Sequence, residues 1–254
     1  MSRTALHVSP HPDDEVLGCG ATLLALRRAG WRVVNLTCSL GRDTDRDRRR
    51  GELKAAETVL GLEGRVADPL VDIGSADDLR LAEDRIVDLV ESTAGDIGAD
   101  LVVSPHPQDA HHGHAVVGRA VARSARFSRW WAWGLWRDLP APNRYVAYSR
   151  SSMNRLEAAL ACHAGELARN PYQDALIGRG RVQAVLGAER VAGFGSGPLS
   201  ALDFADLLEE RVRTPSGWHL ARGHVVGLGE LVDPDPDRGH RRPDALVDGV
   251  GDGP

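Results

Sequence analysis

The chain is poor in cysteine: Cys19, Cys38 and Cys162 are the only three in 254 residues. They are scattered, odd in number and form no Cys-x-x-Cys pair, which excludes a disulfide framework and a cysteine-ligated zinc ribbon. Free thiols in a reducing compartment are expected instead. Lysine is almost missing too, Lys54 being the only one among 31 basic residues against 36 acidic ones, for a formal charge of −5. That balance gives no electrostatic reason to expect nucleic acid as a partner. No apolar run is long enough to span a bilayer. The opening Met1-Ser2-Arg3-Thr4 passes into a strand pattern with no stretch that reads as a signal peptide. The expectation is a cytoplasmic protein with no membrane partner, for which homo-oligomerisation is allowed but not required.

What is present reads as one α/β domain. Strand patterns at Ala5–Val8, Arg32–Cys38, Val66–Ile73 and Asp100–Ser104 alternate with helical patterns at Val16–Arg28, through Leu60, at Leu79–Ser92 and through about Ala125. This alternation predicts βαβ units and a mainly parallel sheet with helices on both faces, a single domain over 1–231. From Val232 the chain is dominated by proline, aspartate, glycine and arginine, and 232–254 is expected to be a disordered tail. In such folds ligands bind beyond the carboxyl ends of the strands, so the loops after strands are where chemistry belongs.

The loop after the first strand reads Ser9-Pro10-His11-Pro12-Asp13-Asp14-Glu15. Proline and acids suit the first turn of any helix, and on the acids alone a simple helix start would explain the stretch. His11 does not fit that explanation. The loop after the strand ending at Ser104 echoes it as Val103-Ser104-Pro105-His106-Pro107, followed by Asp109, His111, His112 and His114. A catalytic zinc takes a few nitrogen and oxygen ligands and keeps one position for water. His11 and Asp14 supply two ligands, and one histidine of 111–114 a third. Water on such a metal has its pKa lowered toward about 7 from about 15.7, Asp13 is placed to take the remaining proton, and a second histidine to serve the developing oxyanion or the leaving amine. These are the parts of a metal-assisted hydrolase. A receiver-like site using Asp13 and Asp14 for magnesium leaves the histidines unused.

Pro10-His11-Pro12-Asp13-Asp14-Glu15 closely resembles the signature of the PIG-L/LmbE-like zinc N-deacetylases, and Asp109-Ala110-His111-His112-Gly113-His114 resembles their second one. Weaker likenesses lie at Arg49-x-x-Glu52 with Ala55-Ala56 and Leu60-Gly61, at Asp72, and at Leu156 to His163, where the family often carries an Ala-Leu-x-x-His helix. The resemblance implies a Rossmann-like fold and hydrolysis of the N-acetyl group from a glucosamine unit. It also implies zinc, or another divalent ion such as Fe2+, on His11, Asp14 and His114, with Asp13 as general base and His111 serving the oxyanion or acting as acid. Arg49 and Asp72 match positions that hold the sugar.

Two departures stand out. Relatives often read His-Pro-Asp-His where this chain has His111-His112-Gly113-His114. The aspartate that orients the catalytic histidine is therefore absent, and Asp109, the backbone or a switch of role to His112 are the alternatives. Gly41-Arg42 also replaces a frequent Gly-Glu pair. In a chain only 5% aromatic, Trp130-Trp131-Ala132-Trp133-Gly134-Leu135-Trp136 is a concentrated cluster. On a strand Trp131 and Trp133 share one face, leaving Trp130 and Trp136 as substrate-binding candidates able to stack on a sugar or an aromatic aglycone. Within the family this combination is most like the deacetylases of glycopeptide-antibiotic (teicoplanin/A40926-type) pseudoaglycones. A small thiol-precursor glucosaminide, or a non-catalytic glycan-binding module on the same fold, are the alternatives. The expected partner is thus a small glycoside.

Overall fold

The structure, a computed structural model, describes residues 3–73, 79–221 and 224–226. The expected tail at 232–254 lies outside them. In chain order the elements are β1 (Thr4–Ser9), α1 (Asp14–Leu17), α2 (Gly20–Arg28), β2 (Arg32–Thr37), α3 (Arg46–Leu60), β3 (Glu63–Val66) and α4 (Leu79–Ile97). Then follow β4 (Leu101–Pro105), α5 (His112–Arg123), β5 (Arg129–Trp133), β6 (Arg144–Tyr148), α6 (Arg150–Leu160), α7 (Ala164–Leu167) and α8 (Tyr172–Ala192). The last strands are β7 (Phe204–Thr214), β8 (Gly217–Leu220) and β9 (His224–Val226).

The sheet runs β3-β2-β1-β4-β5-β7-β6-β9, with β8 beside β7. The five strands from β3 to β5 are parallel, and β7 is antiparallel to both β5 and β6. The order reverses between β1 and β4, and at such a switch point the loops leaving adjacent strands diverge to opposite faces and open a crevice. The His11 loop follows β1 and the His111 loop follows β4. The topology therefore faces the two histidine loops across one crevice.

Because helices cover both faces, β1 and β4 are buried along their whole length. Alternation still sorts their residues. Leu6, Val8, Val34, Leu36 and Val102 pack under α4 and α5, while Ala5, Val33, Leu101, Val103, Trp131 and Trp133 pack on the opposite side with Leu23 and Leu26 of α2. Trp131 and Trp133 share a face, as the pattern predicts. Trp130 goes to the other core, 1% exposed, with its indole N–H donating 2.8 Å to Ser104 Oγ. It is a core residue and not a substrate contact, because β5 is an interior strand with both faces covered.

Three expectations are corrected in detail. The helix predicted over 16–28 is two helices, since the chain breaks at Gly18 and Cys19. A Cβ on Gly18 would lie 2.8 Å from the Trp133 ring, so this glycine is where the indole seats. The third strand lies at 63–66, just before the predicted Val66–Ile73. The long antiparallel β7 has no counterpart in the sequence reading. Among the described residues no helix is long and apolar enough to cross a membrane, and Cys19, Cys38 and Cys162 are all free thiols.

One polar chain crosses this core. Trp133 Nε1 donates to His7 Nε2 at 3.2 Å, and since indole can only donate, the His7 proton sits on Nδ1 and goes to Asn35 Oδ1 at 2.7 Å. Asn35 Nδ2 then donates to Glu57 Oε1 at 2.8 Å. Burial pushes the Glu57 carboxyl up to about 7, against the pull of Asn35, with Glu15 adding repulsion and His163 attraction. A raised carboxyl favours the protonated fold, so its contribution to stability is complete below about pH 4.5 and is lost as pH rises through about 7. Glu57→Gln, neutral throughout, should flatten that fall by about 1–3 kcal/mol. Comparing wild-type and variant unfolding free energies at pH 4.5 and at alkaline pH checks it; parallel curves would refute the assignment.

Candidate active site

The crevice is a cleft of about 740 Å³ whose floor holds His11, Asp13, Asp14, His111 and His114, and whose rim carries Trp136, Tyr172 and a set of arginines. Its geometry starts from the turn after β1. Ser9 Oγ donates to the His11 carbonyl at 2.7 Å, and the His11 backbone N–H donates to Asp14 Oδ2 at 2.9 Å. The Asp14 side chain thereby folds back over the turn. Its other oxygen lies 3.1 Å from His114 Nε2, and Oδ2 lies 3.4 Å from His11 Nδ1. Two imidazoles thus converge on one buried carboxylate.

Asp13 has φ 101°, the only positive φ outside glycine among the described residues. It is formally the N-cap of α1, yet its side chain makes no cap hydrogen bond. The helix-start explanation of the motif therefore fails for Asp13. Its own N–H donates 2.9 Å to Glu15 Oε2, and Glu15 Oε1 accepts from His163 Nε2 at 2.7 Å, both side chains being wholly buried. Arg49 braces the same turn from the other side, donating to the Pro12 carbonyl at 3.2 Å and the Leu40 carbonyl at 3.3 Å.

The second loop is organised by Asp109. Its Oδ1 accepts the His111 backbone N–H at 3.0 Å, and its Oδ2 accepts those of Leu135 at 2.8 Å and Trp136 at 3.2 Å. Asp109 Oδ1 also lies 3.6 Å from His114 Nδ1, which leaves His114 Nε2 for the cleft. So Asp109 holds the main chain of His111 and places its charge near His114, and does not reach the His111 ring. That ring is held by packing: it stacks on His112 at 4.8 Å between centroids and stands edge-on to His11 at 5.3 Å. A Cβ at Gly113 would come within 3.1 Å of His11 and 3.3 Å of His111 and Ile73. A side chain at 113 would therefore need these neighbours to give by a few tenths of an ångström. The echoed His106 stays out of the cleft, buried with Nε2 3.4 Å from Glu209.

The charges divide along the same lines. Burial pushes Asp14 up, but His114 and His11 outweigh it and hold the carboxyl well below the usual range. Asp13 is pushed well up by burial, then by Asp14 and Glu15, with Arg49 opposing. Burial and the neighbouring His114 and His11 lower His111 to about 4, so this ring is neutral near pH 7. A divalent ion requires deprotonated ligands: Asp14 is held ionised, whereas His114 is lowered by burial but raised on balance by Asp14 and Asp109, and its proton is what an incoming ion would displace. The ring nitrogens of His11, His111 and His114 lie within 4.8 Å of one another, and Nδ1 of His111 and of His114 are buried without a hydrogen-bond partner. The three imidazoles therefore converge beside the Asp14 carboxylate, and the set fits a zinc-like ion that His11, Asp14 and His114 would hold, with the His111 ring next to it.

Of the remaining candidates, Trp136 is half exposed at the rim, with its ring 6.4 Å from His111. Arg49 lines the cleft, though its guanidinium is engaged with main chain and lies 3.5 Å from Glu166. Asp72 is corrected: it is exposed and absent from the cleft wall, because the buried neighbours Val71 and Ile73 take the inward positions of that segment. Glu15 and His163 were missed as a pair. Both lay inside recognised motifs, but 148 residues apart, with nothing local to link them.

Residues 6–125 match the family model described as PIG-L: GlcNAc-PI de-N-acetylase. The match falls on the site. Membership of the PIG-L/LmbE family is supported by it and by a curated relative from Catenulispora acidiphila, 1D-myo-inositol 2-acetamido-2-deoxy-alpha-D-glucopyranoside deacetylase 2, 36% identical over 77 residues. That stretch is 24% of this chain and spans about a quarter of the relative, 25% of its length. Among solved structures, the zinc-inhibited form of teicoplanin deacetylase Orf2 superposes with a TM-score of 0.63 at 17% identity, over 84% of this chain and all of the other, 100%. The 4-carboxy-2-hydroxymuconate hydratase GalB from Pseudomonas putida KT2440 superposes with a TM-score of 0.56 at 18% identity, over 82% of this chain and 95% of that one. These structural likenesses establish the fold. Chemistry has to be argued from the site.

A left-handed aspartate costs about 1–3 kcal/mol, the same size as a hydrogen bond to a charged acceptor, about 1.5–3 kcal/mol. Losing the Glu15 acceptor is therefore enough to let the turn relax. Glu15→Ala, which removes the acceptor, should lower any hydrolytic kcat by roughly 10–100-fold with bound metal close to wild type, whereas Glu15→Gln, which keeps one acceptor oxygen, should lose less. Loss of metal in step with kcat would show instead that the pair supports the ligands and not Asp13.

Proposed function

We propose that the chain is a metal-dependent deacetylase that hydrolyses the N-acetyl group of a glucosamine unit in a glycosylated small molecule, releasing acetate and a free amine. The observation that carries this is the division of two adjacent carboxylates: Asp14 turned onto two imidazoles, and Asp13 beside them facing the cleft. His11, Asp14 and His114 would hold the metal, zinc or another divalent ion such as Fe2+. When bound, such an ion acts as a Lewis acid toward the amide carbonyl and acidifies water.

The protein's own groups do the rest. Asp13, with its affinity for protons raised by burial, accepts the proton of the attacking water on its carboxylate and returns it to the leaving nitrogen. The neutral His111 ring donates an N–H to the carbonyl oxygen as negative charge develops there. Arg49 keeps Pro12 and so Asp13 in place, and Trp136 offers a flat apolar face to the sugar or aglycone. The half-exposed Trp136 above the floor and the likeness to teicoplanin deacetylase Orf2 support a glycopeptide-antibiotic intermediate as substrate. The name of the Catenulispora relative supports a second reading, an inositol-linked glucosaminide.

Metal analysis together with acetate release across a panel of N-acetylglucosaminides tests the proposal. About one divalent ion per chain is expected, removable by chelation along with activity. His11→Ala and His114→Ala should lose the metal, whereas His111→Ala should keep it and lose activity. Asp13→Asn should also keep the metal, while kcat falls by about 10²–10⁴. A protein that binds no divalent ion, and in which His11→Ala leaves hydrolysis intact, is not this enzyme. Sugar binding undiminished in Asp13→Asn, without turnover in the wild type, would instead identify a glycan-binding module.

A further inference from the structure

Across the Trp136–Tyr172 edge from the catalytic floor lies a second, smaller cavity of about 270 Å³. It shares Leu17, Leu135, Trp136 and Tyr172 with the main cleft, continues onto Leu176 and Val182 of α8, and has Arg137 and Asp138 on its wall. The cation at its floor is already committed. Arg179 donates to the carbonyls of Leu17 at 2.5 Å, Gly18 at 3.0 Å and Gly134 at 2.6 Å, and Gln183 bridges it to the Ala205 carbonyl. What the floor offers an incoming group is therefore apolar surface.

Outward from this cavity the apolar surface continues. Val182, Val185 and Leu186 sit at i, i+3 and i+4 on one face of α8 and are 55%, 73% and 53% exposed, beside Trp136 at 50%. Exposed apolar side chains that start at a cavity wall, as these do at Val182, mark a place where something apolar docks. The volume is below the range of about 300–1,000 Å³ that holds a whole drug-sized ligand, so the cavity itself takes one ring or a short alkyl group, and the α8 shelf takes what extends beyond it.

We propose that this cavity and shelf form an aglycone subsite, and that the substrate carries an apolar, preferably aromatic, group next to the N-acetylglucosamine unit. The inference rests on the deacetylase reading and sharpens it. A polyhydroxylated aglycone such as an inositol would leave the Leu176–Val182 surface uncovered, because burying hydroxyls against those side chains costs free energy.

The test compares phenyl and methyl N-acetylglucosaminides of both anomers. The phenyl glycoside should be deacetylated with kcat/KM at least about tenfold higher, mostly through KM, and Val182→Glu should collapse that ratio toward one. Phenyl N-acetylglucosaminide should also quench tryptophan fluorescence on binding the wild-type protein, and more weakly in Val182→Glu. Turnover of both glycosides at equal efficiency overturns the subsite and leaves the deacetylase intact. Turnover of neither removes the deacetylase reading, and the fluorescence titration then decides the subsite by itself. Light scattering closes the remaining case: a dimer that Val185→Glu converts to monomer, with the phenyl preference unchanged, assigns the shelf to a second copy of the chain and overturns the proposal.

Discussion

The site depends on the buried Glu15 carboxylate. One of its oxygens holds the N–H of a left-handed aspartate and the other is held by His163, so it joins the β1 turn to the segment after α6 through the protein interior. Without that acceptor the backbone at Asp13 has no reason to stay where an L-residue is strained. With it, consecutive aspartates are sent in different directions, Asp14 back over the turn toward the histidines and Asp13 forward into the cleft. In a regular helical turn they would project about 100° apart from one uniform surface; the strained residue is what turns one carboxylate onto the histidines and the other into the cleft within two positions.

The electrostatics then follow from placement and not from residue type. Both aspartates are removed from water, and burial pushes both carboxyls up. Asp14 touches two imidazoles and ends well below the ordinary range, whereas Asp13 faces two like charges, Asp14 and Glu15, and ends above it. Pairs of titratable groups whose surroundings drive them apart are the mark of an acid–base division of labour. The histidines split in the same way: His114, against Asp14 and Asp109, is raised, and His111, with two histidines for neighbours, is lowered.

Much of this was legible in the sequence because it is local. The strand–loop–helix order after β1 and β4, the placing of both histidine loops at one rim, and the shared face of Trp131 and Trp133 all follow from periodicity and from the rule about strand ends. What was not legible is long-range. The Glu15–His163 contact joins residues that no pattern links. Trp130 was offered to the substrate because alternation says only that it faces away from Trp131; it cannot say that the other face is covered as well. Asp72 was placed by position in a motif, while the inward places of that segment go to Val71 and Ile73. β7 escaped notice because its buried Asp206, Glu209 and Glu210 break the apolar pattern of a core strand. Each is partnered, Asp206 by Thr22, Glu209 by His106 and Arg211, and Glu210 by Arg129 and Arg144.

Those partners show how the chain divides its labour. The stretch that matches the family, 6–125, supplies both histidine loops and all the candidate metal donors. One side of the cleft wall, with Arg42, Arg48 and Arg49, comes from the same stretch, and the other from beyond it: Trp136 after β5, Glu166 and Arg169 after α6, and Tyr172 of α8. The two parts are stitched by buried polar contacts, Asp206 to Thr22, Arg179 to the carbonyls of Leu17 and Gly18, and His163 to Glu15. These contacts fix the wall against the floor without contributing a group to the reaction. The family match therefore covers the candidate metal donors, while the α8 and Trp136 parts of the cleft wall lie outside it.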